Sequence, residues 1–143
     1  MKFILSWFLL LGAVAFAVAQ KQGIIGTVEW IQGNQMPGPD RQPIKPTGIK
    51  REVWIYEIVS LQQVESEGVF FQNIPTRMIK KVSSNRRGKF KVKLPPGEYS
   101  LFIKEKEGLF ANRFDQNNRI NAVEVKPGKF TRITILVDYE ATY

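Results

Sequence analysis

Between Arg87 and Lys104 the chain switches between polar and apolar residues at almost every step. Phe90, Val92 and Leu94 alternate with Lys89, Lys91 and Lys93, the two-residue period of a half-buried strand. Pro95-Pro96-Gly97 ends the run, because proline fixes φ and glycine accepts positive φ. Tyr99, Leu101 and Ile103 then restart the alternation. With Pro96 and Gly97 at the centre of a tight hairpin, Leu94 would face Tyr99, Val92 would face Leu101 and Phe90 would face Ile103. Yet Pro-Gly favours a type II turn, whereas tight hairpins prefer primed turns. The alternative is an arch from one sheet to another. Both layouts send the same residues inward, and the pattern leaves the choice open.

The rest of the chain is read the same way. A first strand runs from Ile24 to Ile31, with Val28 and Trp30 on one face and Thr27 and Glu29 on the other. Gly33 to Gly48 is a long loop rich in Gly, Pro, Asn and Gln. Glu52 to Ser60 is a strand with apolar residues on both faces, so it is central or covered on both sides. Ser60 to Asn73 reads as a loop with a short strand, and Thr76 to Ser83 as a further strand. Glu107 to Asn118 reads as a loop. Val123 to Val125 and Thr131 to Tyr139 are the last strands, joined by the turn Lys126-Pro127-Gly128-Lys129. No stretch carries a helical period. Seven strands with turns about every ten residues predict an all-β, seven-stranded Greek-key sandwich. Its core is expected at Val28, Val53, Ile55, Phe90, Val92, Leu94, Tyr99, Leu101, Ile103, Ile133, Ile135 and Val137.

The first residues do not fit that pattern. Lys2 precedes an apolar stretch from Phe3 to Phe16, and Ala17-Val18-Ala19 has the form of a cleavage site. Residues 1–19 therefore read as an export signal, and residues 20–143 as one domain. The apolar stretch is short for a membrane span of roughly 20 residues. Cleavage leaves no transmembrane segment and an exported protein, periplasmic or extracellular. Its core must hold without disulfides, since the chain has no cysteine. The net charge of +8 falls by one when Lys2 is removed. Such a charge attracts lipid head groups, acidic glycans or nucleic acid, although lysines also protect sheet edges and keep strand faces soluble.

The opening Gly26-x-Val28, the pair Pro37-Gly38, the strand Val53-Trp54-Ile55-Tyr56, the core Gly88-x-Phe90-x-Val92-x-Leu94-Pro95-Pro96-Gly97-x-Tyr99-x-Leu101 and the close from Val125 to Val137 resemble the carboxypeptidase regulatory-like domain. That family is a seven-stranded sandwich of the transthyretin (prealbumin) type. The likeness covers nearly all of residues 20–143 and extends to small exported bacterial proteins made of this domain alone. It implies a non-catalytic accessory module that assists folding, surface display or binding. In larger relatives the domain stands beside a peptidase or in front of an outer-membrane transporter.

The chain has neither histidine nor cysteine. That removes Ser-His-Asp and Cys-His nucleophile systems and His- or Cys-ligated zinc. Histidine-dependent transthyretin-fold hydrolases are excluded on the same ground. Carboxylates remain: Glu65 with Glu67, Glu105 with Glu107, and Asp115, candidates for a small carboxylate-dependent hydrolase but placed in polar, turn-like sequence. Asp115, Asn117 and Asn118 suggest calcium. Counted from Asp115, however, the sixth and twelfth positions hold Ile120 and Lys126 rather than the Gly and Glu of an EF-hand loop. No cofactor or metal is expected. Trp30, Trp54 and Tyr56 cannot all point inward, and an exposed aromatic platform would suit a sugar ring, the carbohydrate-binding alternative. The basic residues Lys80, Lys81, Arg86, Arg87, Lys89, Lys91 and Lys93 lack any nucleic-acid module around them, so no nucleic acid is expected. The reading is an exported, non-catalytic binding or accessory module, monomeric or weakly self-associating. Its partner is a glycan or an envelope protein. The expected contacts are Phe110, Asn112, Arg113, Phe114 and Asp115, with the loop Asn34 to Lys50 as a second recognition surface.

Overall fold

A computed structural model describes residues 21–143. The export signal assigned to residues 1–19 lies outside the described residues. The strands are β1 (Gly23–Asn34), β2 (Thr47–Gly48), β3 (Glu52–Glu57), β4 (Glu65–Glu67), β5 (Phe70–Gln72), β6 (Met78–Ser83), β7 (Lys89–Lys93), β8 (Gly97–Glu105), β9 (Gly108–Phe110), β10 (Ala122–Val125) and β11 (Phe130–Thr142). A single 3₁₀ turn, Leu61–Gln63, precedes β4. The seven expected strands correspond to β1, β3, β6, β7, β8, β10 and β11. The other four are two or three residues long, too short to show a period. One of them, β9, replaces the start of the loop expected from Glu107.

The strands form two sheets. In the first, β1 lies in the middle, with β11 parallel on one side and β7 and then β2 antiparallel on the other. The second runs β4-β5-β9-β8-β3-β6, and β10 pairs with Gly97–Ser100 of β8, further along the edge that β9 uses. β7 and β8 thus belong to different sheets, and Pro95-Pro96-Gly97 crosses between them. The Tyr99 hydroxyl donates to the Pro95 carbonyl at 2.5 Å and fastens the crossing.

The core between the sheets draws Ile24, Val28, Phe90, Val92, Ile135 and Val137 from the first and Val53, Ile55, Tyr99, Leu101, Ile103 and Val123 from the second. Burial of both inner faces makes the fold a β-sandwich. Of the twelve expected core residues only Ile133 stays partly exposed. Two glycines explain the spacing of the motifs. Phe90 stands opposite Gly26 in the ladder, and its ring occupies the space a side chain there would need. Gly88 has φ 81° and rests on the Val28 carbonyl, where a β-carbon would overlap.

A second apolar cluster covers the outer face of the second sheet. Tyr56, Phe71, Phe102 and Leu109 pack there with Val59, Ala111 and Ile120. Leu101 and Phe102 are therefore both fully buried although they point to opposite faces. This is the two-sided cover that the apolar faces of β3 imply. No helix among the described residues is long and apolar enough to cross a membrane.

Candidate functional site

The segment from Ala111 to Asn121 is anchored at both ends. Ala111 N donates to Val69 O at 3.4 Å and Ile120 N to Val59 O at 2.9 Å, and Asn121 N closes the segment on Arg113 O at 2.8 Å. Within it, Asp115 Oδ1 accepts from the backbone N–H groups of Asn117 and Arg119, each at 2.9 Å, and Oδ2 accepts from Arg119 Nε at 2.6 Å. Arg119 also pairs with Glu98 of β8. The Arg119 backbone N–H is the main cause that holds the Asp115 carboxyl below its usual range. Both carboxylate oxygens thus serve the turn. Among the described residues no cluster of three acidic groups is arranged to hold a metal ion.

The five residues expected to bind do not all lie on one surface. Phe110 lies in β9, 1% exposed, with its ring 5.5 Å from that of Tyr139. It is a core residue and offers no surface to a ligand, because the start of the expected loop is strand. Asn112 Nδ2 donates to Asp138 Oδ1 at 2.7 Å and to Leu136 O at 3.3 Å, which ties the loop to β11. Arg113 and Phe114 are exposed, and Phe114 rests edge-on against Phe71 at 6.3 Å. Together with Asp115 they line one end of a groove of about 180 Å³, bounded by Asn121 to Val123 on one side and Ile133 to Ile135 on the other. It adjoins a second hollow of about 410 Å³ that extends past Glu124, Lys126 and Lys129.

This groove separates two sheet edges. β10 and β11 leave the turn at Lys126–Lys129 and diverge into different sheets. Thr131 Oγ1 bonds Glu124 O at 2.5 Å across the narrow end, and Asn112 holds the Leu136 carbonyl at the other. Since that carbonyl points away from β1, strand alternation points the N–H and C=O groups of Arg132 and Thr134 the same way. Among the described strands β11 pairs with β1 alone, so no backbone partner among the described residues meets them. The sequence could not show this edge, because pairing partners are not a local property.

The remaining candidates are engaged elsewhere. Trp30 stacks edge-on with Tyr139 at 5.3 Å. Lys81 lies over the Trp54 ring at 3.9 Å and Lys104 at 5.8 Å. Tyr56 is buried. Glu105, expected at the surface, is buried instead: Arg51 Nε reaches it at 3.0 Å and the Tyr139 hydroxyl at 3.2 Å. Burial first, then Glu105, push the Tyr139 hydroxyl up from 10.0 to about 12. Glu65, Glu67 and Glu107 are exposed. In the long second loop Met36 and Ile44 are about half exposed, and a turn closes it locally from Gly38 to Arg41.

No protein-family model and no curated protein matches the chain. Among solved structures, the Bacillus anthracis TIE protein is similar at 18% identity and a TM-score of 0.36, over 80% of this chain and 16% of that one. The chain spans far less than two thirds of that protein, and so slight a likeness bears on neither fold nor activity.

Proposed function

We propose that the chain is an exported, non-catalytic binding or accessory module of the cell envelope, built on a Greek-key sandwich of the transthyretin and carboxypeptidase regulatory-like type. The contacts of Gly26 with Phe90, of Gly88 with Val28 and of Tyr99 with Pro95 support that family reading, since each gives a motif residue a structural task. Lack of histidine and cysteine and the engagement of Asp115 and Glu105 support a role without chemistry.

The observation that carries the reading is the groove between β10 and β11. It presents free backbone groups of one sheet edge beside an exposed cation, Arg113, and an exposed ring, Phe114. An extended segment of a neighbouring envelope protein meets both demands, by adding a strand to β11 and seating a side chain against Phe114. A glycan uses the ring but leaves the backbone groups of the edge unread. The test is recovery of partners from the native envelope with residues 20–143 as bait. Arg113→Ala with Phe114→Ser should abolish recovery at an unchanged melting temperature. Undiminished recovery would remove the groove from the interaction.

A further inference from the structure

The outer face of the first sheet differs from that of the second, which lies under an apolar cluster. Here Lys89, Lys91, Lys93, Arg132 and Thr134 are exposed. The ladder sets Lys91, Ile25 and Arg132 in one row and Lys89, Thr27 and Thr134 in the next. Successive lysines on β7 lie about 6.8 Å apart, and Arg132 stands two strand spacings away, about 10 Å. Between them is a hollow of about 410 Å³ lined by Ile25, Thr27, Lys89, Arg132 and Thr134.

Among the described residues the ion pairs engage Arg51, Arg77 and Arg119. None neutralises the four cations of this face. Further along the same strands come Glu29 and Asp138, and Asp138 is held by Asn112 and Tyr143. Lys89 Nζ donates to Thr27 Oγ1 at 3.0 Å, which sets an ammonium and a hydroxyl side by side. Lys91 Nζ lies 4.5 Å from the centre of the Phe130 ring.

We propose that this face binds a linear acidic polysaccharide. The cations meet its carboxylates, the Thr27 and Thr134 hydroxyls meet sugar hydroxyls, and Ile25 lies under the apolar side of a ring. Other polyanions fit less well. A bilayer asks for projecting apolar residues, and the exposed large apolar side chains Met36, Ile44, Met78, Phe114 and Tyr143 all lie elsewhere. Single-stranded nucleic acid asks for free aromatic rings to stack on, and Phe130 is already covered by Lys91. The inference does not rest on the groove between β10 and β11.

The probe is polygalacturonate, titrated into residues 20–143 at low and at high salt, with neutral dextran beside it. Binding should weaken with salt and be absent for dextran. The triple variant Lys89→Gln, Lys91→Gln, Lys93→Gln should bind about tenfold more weakly, because three modest ion pairs with the polysaccharide disappear together. Lys45→Gln, Lys50→Gln, Lys106→Gln removes the same charge elsewhere and should change binding less than about twofold, its effect being only long-range and screened. Thr134→Val should weaken polygalacturonate and leave polyphosphate, which has no sugar hydroxyls, unchanged. Phe114→Ser should leave polygalacturonate binding intact, which keeps this face separate from the groove. Equal losses in the two triple variants would reduce the effect to net charge and overturn the proposal. So would a failure to bind polygalacturonate, or tighter binding of phosphatidylglycerol vesicles or single-stranded DNA.

Discussion

The hydroxyl of Tyr99 closes the Pro-Pro-Gly crossing on the Pro95 carbonyl. Tyr99→Phe should therefore cost about 1 kcal/mol in urea unfolding, the usual net worth of one hydrogen bond, with the fold retained. Gly26→Ala sets a methyl group against the Phe90 ring, and overpacking of that kind costs roughly 1–3 kcal/mol. Tyr139 gives a pH signature. Its hydroxyl titrates near 10.0 when unfolded and at about 12 when folded. A raised folded pKa contributes stability that is complete below the unfolded value and lost as pH rises through the folded one. Stability should thus fall between about pH 10 and 12, more steeply than in Tyr139→Phe. Equal alkaline slopes in melting scans of the two proteins would show that Tyr139 has no part in it. None of these tasks could be read from residue type alone. Glu105 is the clearest case, because its neighbours Lys104 and Lys106 make it look like surface. Its burial depends on Arg51 and Tyr139, both distant in sequence.

Strands with strict alternation were legible: β7, β8 and β11 lie where the period sets them, and their inward residues are the core. Short strands were not. β9 holds three residues, Gly108–Phe110, all buried, and three residues carry no period. The same limit hid the second cluster: Leu109 and Ala111 come from a segment that reads as loop, and Phe71 from one expected to hold only a short strand. Whether Pro-Pro-Gly folds back or crosses over was also beyond local sequence, since sheet membership is settled by the partners of β1 and β3. The candidate loop divides on the same principle. Phe110→Ser removes a fully buried ring and should cost roughly 3–5 kcal/mol. Phe114→Ser removes a ring that is 45% exposed and should cost less than about 1 kcal/mol. Chemical denaturation of the two single variants checks this. Similar losses would mean that the loop behaves as a lid over the second cluster, and Phe114 would cease to be a recognition residue.

The first and last strands of the fold hold each other. β1 and β11 run parallel from Gly23 with Phe130 to Asn34 with Thr142, interrupted by one bulge after Trp30. Closure is therefore non-local, and the first sheet cannot be completed before the last residues are in place. β11 also supplies Ile135 and Val137 to the core, with Ile133 and Tyr139 packed beside them. Two fully buried aliphatic side chains contribute roughly 1.5–3 kcal/mol each, and the two partly buried ones add to that. The sum is comparable with the whole stability of a small domain, about 5–15 kcal/mol. Its loss would also leave the Gly23–Asn34 edge unpaired over the core. A chain of residues 20–129 should therefore lack the dispersed amide spectrum of a folded β-sandwich. A peptide of residues 130–143 added in trans should restore it at a midpoint set by peptide concentration, because binding to the folded form alone draws the equilibrium toward it. A shortened chain that folds unaided would show that the second sheet carries the domain and that β11 only decorates it. Recovery with the peptide would instead establish that closure of the first sheet depends on the pairing of β1 with β11.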